Sequence, residues 1–136
     1  MDPILYWHGI ALEANRRDFS NVPGTDKPAP EQGGGPTLSS RALAIVHLAM
    51  YDAHAGVVNI AALPRYLAAP PNPPAGTSAA ASEAAAAHVC LGALFPRQKP
   101  HFDAAMQALN LTGPGVTDGL AFGQQVAKAI LSDRGG

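Results

Sequence analysis

The sequence predicts an all-α domain, a bundle of about five helices with no sheet. Three observations predict it. Apolar residues recur at helical spacing in five separate stretches. Proline- and glycine-rich segments part those stretches. No run alternates apolar and polar residues as a half-buried strand does. At 136 residues the chain is the size of one domain, so residues 1–136 are expected to fold as one unit.

The first helix is expected over about 3–18. Asp2 is placed to cap it, and Pro3 suits the first helical position. Ile4, Leu5, Trp7, Ala11, Leu12 and Ala14 fall on or near one face, with Glu13, Arg17 and Asp18 mainly opposite. A loop over 19–36 follows, in which Pro23, Gly24, Pro28, Pro30, Gly33, Gly34, Gly35 and Pro36 forbid regular structure. The second helix runs from about 38 to 60 with Thr37 as its cap. Its apolar residues point in nearly all directions, which predicts the buried centre of the bundle.

The Pro-rich linker 61–76 should be extended. The third helix, about 78–94, is alanine-rich and offers only a thin stripe of Ala84, Ala87, Leu91 and Leu94. Pro96 limits its end. The fourth, about 100–110, sets Phe102, Ala105, Met106 and Leu109 on one face. The Gly113-Pro114-Gly115 turn leads to a fifth over about 118–132, capped by Thr117 or Asp118 and stopped by Gly135.

Composition excludes several function classes. Hydrophobic residues make up 47% of the chain and aromatics only 6%, so small side chains must build much of the core. A net charge of −1 leaves no basic stripe for nucleic acid or an anionic membrane. No apolar run approaches the roughly 18 residues that span a bilayer. The amino terminus lacks the basic and apolar regions of a signal peptide, and the residence of the protein stays open. Cys90 is the only cysteine, so neither an intrachain disulfide nor a thiolate cage can form.

The second helix holds the unusual residues: Ser40, Arg41, His47, Tyr51, Asp52 and His54, on a segment expected to be buried. Buried ionisable groups must be paired. The expected arrangement is a structural polar network of Arg16, Arg41, His47 and Asp52 that locks the first two helices together. The sharper alternative is an oxyanion site at Arg41 and His47. These two project about 120° apart and rise about 9 Å, so they converge only with help from other elements. No metal site is expected. His47 and His54 are separated by about 10.5 Å along the axis, His88 and Cys90 point to different faces, and His8 and His101 have no evident partners. No nucleophile elbow or phosphate-cradling loop is present, and Cys90 reads as a small buried hydrophobe.

The run Ile4-Leu5-Tyr6-Trp7, with Ala11-Leu12-Glu13-Ala14-Asn15-Arg16, resembles the opening helix of vanadium-dependent haloperoxidases. The resemblance extends to Gly35-Pro36-Thr37-Leu38-Ser39-Ser40-Arg41-Ala42-Leu43-Ala44-Ile45-Val46-His47-Leu48-Ala49-Met50-Tyr51-Asp52-Ala53. Ala121-Phe122-Gly123 and Asp133-Arg134-Gly135 add to it less specifically.

The resemblance implies the N-terminal helical portion of a larger, all-helical enzyme of the acid phosphatase/haloperoxidase superfamily. Such enzymes hold vanadate through Lys, Arg and backbone donors and one histidine bond, and use peroxide to oxidise halide. Their signature comprises a Lys with a downstream Arg-Pro, a Pro-Ser-Gly-His, and a Ser-Arg-x5-His-x3-Asp. Arg-Pro and Pro-Ser-Gly-His do not occur here. Ser40-Arg41, five residues, then His47 echoes the third element, with Asp52 one place too far.

The expectation is therefore a scaffold with no catalytic residue of its own, inactive alone. Vanadate would be held only with the C-terminal half. The partner would be that half or a second copy of the chain, with neither nucleic acid nor membrane. The alternatives are a free-standing helical interaction module and an acid phosphatase relative.

Overall fold

The structure, a computed structural model, describes residues 3–19, 36–58 and 73–133. They form α1 (Pro3–Phe19), α2 (Pro36–Val58), α3 (Ala79–Leu94), a 3-10 turn (Pro96–Gln98), α4 (Lys99–Ala108) and α5 (Val116–Asp133). No strand occurs among the described residues. The expected cap at Asp2, the loop through 20–35, most of the linker and the stop at Gly135 lie outside them.

Helix starts follow local chemistry. Ser78 caps α3, its Oγ accepting from the Ala81 N–H at 3.1 Å. The Phe95 N–H donates to the Leu91 carbonyl at 2.8 Å, and Pro96 then prevents another turn. The 3-10 turn leads into α4 one residue earlier than expected, and Pro100 fits its first turn, where no N–H is needed.

Two expected caps are corrected. Thr37 stands inside α2, because Pro36, with φ already set for a helix, begins it. Neither Thr117 nor Asp118 caps α5. Gly115, at φ 78°, precedes it, and its carbonyl accepts from the Gly119 N–H at 2.8 Å. Asp118 sits in the first turn, where a carboxylate opposes the positive end of the helix dipole.

The centre of the bundle is α3, not α2. Helix α3 packs against α1, α2, α4 and α5. Its residues 81–87, with Cys90 and Leu91, are all buried. Helix α2 keeps Arg41, Ala44 and Tyr51 exposed. The expectation failed because each alanine is small, so an alanine-rich helix that is apolar all round shows few large side chains and reads as a thin stripe. The value of alanine lies in that size, since small side chains let neighbouring backbones approach.

The approach is closest at α5. A Cβ added at Gly119 would lie 2.7 Å from the Ala81 Cβ, and one at Gly123 would lie 2.2 Å from the Ser82 carbonyl oxygen. At the head of the pair the Ser78 N–H donates to the Gly115 carbonyl at 3.0 Å. Buried Ser82 satisfies its hydroxyl internally, donating to the Ser78 carbonyl at 2.8 Å.

Larger side chains fill the rest of the core. Trp7, Met50, Leu91, Phe95, Phe102, Phe122 and Ile130 are all fully buried. Helix α1 contributes Trp7, Ala11 and Ala14, spaced as one face. Leu5 and Leu12, expected near that face, lie seven residues apart on the outer side and are 68% and 46% exposed. Two bonds fasten α1 to the α4 region: the Tyr6 hydroxyl donates to the Ala105 carbonyl (2.9 Å), and Gln98 Nε2 to the Ala14 carbonyl (2.9 Å).

Candidate functional site

Histidines join successive helices. His8 on α1 meets His47 on α2, with 2.7 Å between Nδ1 and Nε2, so one ring nitrogen donates its proton to the other. The ring centroids are 4.8 Å apart and the planes tilt by 54°. Burial, and secondarily the neighbouring His8, hold His47 below the ordinary imidazole value.

His54 on α2 donates from Nδ1 to Glu83 Oε1 on α3 at 2.6 Å. The Glu83 carboxylate is only 6% exposed, whereas His54 reaches solvent. His88 on α3 donates from Nε2 to Asp103 Oδ1 on α4 at 2.7 Å. Lys99 closes that group, its Nζ 2.9 Å from Asp103 Oδ2. Bonds from Lys99 and then His88 lower the Asp103 pKa. The same His88 ring presents an edge to Trp7, with centroids 6.4 Å apart.

The residues picked from sequence take different places. Asp52 is fully buried in α2. Arg41 is exposed on the same helix. Arg16 is exposed. It lies on the outer face of α1 and donates to Glu13 at 3.0 and 2.6 Å, an i,i+3 surface pair. His47 turns to His8. The backbone of Ser40 belongs to α2; its side chain is not among those described.

The oxyanion alternative names Arg41, which is exposed, and His47, which is half-buried on the same helix. The His47 Nε2 is engaged with His8, so an oxyanion there would have to displace that bond. Cys90 is buried and its thiol pKa is pushed up to about 12 by desolvation, which leaves it protonated and unreactive at neutral pH.

The expectation that His8 has no partner is corrected by its bond to His47, and sequence reasoning overlooked Glu83 and Asp103. Each earns its place through a partner on another helix, 39, 29 and 15 residues away respectively. Spacing within one helix carries no trace of such pairs. Among the described residues no group of three or more His, Cys, Asp or Glu converges as a metal cage. A cavity of about 250 Å³ lies between Gly56–Val57 and residues 73–77, and among the described residues no ionisable side chain lines it. No helix among the described residues is long and apolar enough to cross a membrane.

No curated protein and no solved structure matches the chain. A family does: the one described as the vanadium chloroperoxidase N-terminal domain matches residues 1–132. That span covers every described helix up to the last residue of α5. The resemblance carried by the first two helices thus extends over the alanine-rich half, and the chain belongs to the vanadium chloroperoxidase N-terminal domain family.

Proposed function

We propose that this domain is the scaffold portion of a vanadium-dependent haloperoxidase, which oxidises halide with peroxide, and that it is silent alone. One observation supports the reading above others. The histidines that chemistry would need on α2 and α3 are spent in bonds between helices: His47 on His8, His54 on Glu83, His88 on Asp103. These bonds hold helices together and engage the histidines of α2 and α3, whereas a trianionic oxyanion needs several cations and N–H groups aimed at one point.

In this reading vanadate, when bound, supplies the Lewis-acid centre that activates peroxide, and the groups that hold it belong to the family's C-terminal portion. That portion is the proposed partner. The residues here position helices and nothing in them moves a proton to or from substrate.

The test is a bromination assay. The chain is mixed with orthovanadate, hydrogen peroxide and bromide, and an indicator dye reports halogenation. The rate should equal that of the protein-free control. A higher rate that disappears in His47→Gln would overturn the scaffold reading and make His47 a vanadate ligand.

A further inference from the structure

We propose that His8 and His47 form a two-histidine clip for a tetragonal transition-metal cation, Cu(II) or Ni(II), that ties α1 to α2. The two nitrogens come from different helices, so both helix backbones fix their positions before any ion arrives. They stand 2.7 Å apart. Two imidazoles bound cis to one ion, with bonds of about 2.0 Å at a right angle, place their nitrogens about 2.8 Å apart. A tetrahedral ion would need about 3.3 Å. The pair therefore needs to open by only about 0.1 Å, with the rings swinging so that both lone pairs face the ion.

The chemistry suits the ion as well. Imidazole is a borderline-soft donor that favours copper and nickel among the divalent metals. The shared proton moves to the far nitrogen of its own ring, leaving two neutral donors and releasing no proton. Both rings are only half-buried, which gives the ion access and leaves its other positions to water. Sequence spacing argued against metal because it compared histidines within single helices; the fold supplies a pair from two.

Trp7 makes the test direct. It is the chain's single tryptophan and immediately precedes His8. Cu(II) is titrated at pH 7.5 into protein free of added histidines, and Trp7 emission is followed. Quenching should saturate at one ion per chain and reverse with a chelator. Apparent affinity should fall at least tenfold in His8→Gln and in His47→Gln, and stay unchanged in His54→Gln. Saturating Ni(II) should raise the Tm by about 4 °C or more, because an ion that binds only the folded state stabilises it. The Cu(II) EPR spectrum of the unaltered protein, independent of any variant's folding, should show coupling to two imidazole nitrogens. Coupling to one nitrogen or none, or quenching that both glutamine variants leave intact, would overturn the clip.

Discussion

At the residue scale, His8, His47, His54 and His88 make contacts between helices, and two groups, His47 and Cys90, make sharp predictions. His47 has its pKa lowered by burial and by His8. The folded state then binds fewer protons than the unfolded chain between its own lowered value and the ordinary 6.5. Stability should be insensitive to this ring above 6.5. It should fall as pH drops below that value, until the ring is protonated in the folded state too. Denaturant midpoints from pH 8 to 5 check this, and His47→Gln should flatten the profile within that window. Cys90 should resist a thiol reagent in the native protein and react at once after unfolding, since burial both hides it and holds the proton on sulfur. Native-state reaction at the rate of a free thiol would contradict its placement. Partners were the illegible part at this scale. His47 and Asp52 stood out as polar residues on an apolar helix, but His8, Glu83 and Asp103 sit in ordinary surroundings along the chain.

At the scale of elements, the helices themselves were legible and their ranking was not. Caps, prolines and glycine turns located all five helices to within a few residues, because these signals are local. Which helix is central depends on packing. The alanine run of α3 looked thin because hydropathy does not score closeness of approach, and the shorter signal at Gly119 and Gly123 gains meaning only opposite Ala81, Ser82 and Ala85. The two kinds of helical glycine can be set against each other. A Cβ at Gly9, on exposed α1 backbone, meets nothing within 4 Å. Gly9→Ala should stabilise by about 0.5–1 kcal/mol through helix propensity. At Gly123 the same gain is outweighed, because a Cβ 2.2 Å from the Ser82 carbonyl oxygen and 2.8 Å from the Ala85 Cβ forces α5 away from α3. Overpacking of that kind costs about 1–3 kcal/mol or more, so Gly123→Ala should destabilise. Opposite shifts in urea midpoint are the expected result. Removing the α3 cap with Ser78→Ala should cost about 1 kcal/mol.

At the scale of the whole molecule, the family match over residues 1–132 and the histidine joins point the same way. The most buried helix is built mainly of small residues, and its Glu83 and His88 bond to neighbouring helices. That is in keeping with the proposed scaffold reading, in which a separate catalytic portion would supply the oxyanion site. The most direct test is reconstitution. A C-terminal catalytic portion of the family is assayed for vanadate-dependent bromination alone and together with this domain, fused or in trans. Bromination that appears only when both are present is the predicted result. A catalytic portion that runs at the same rate without this domain would contradict the account.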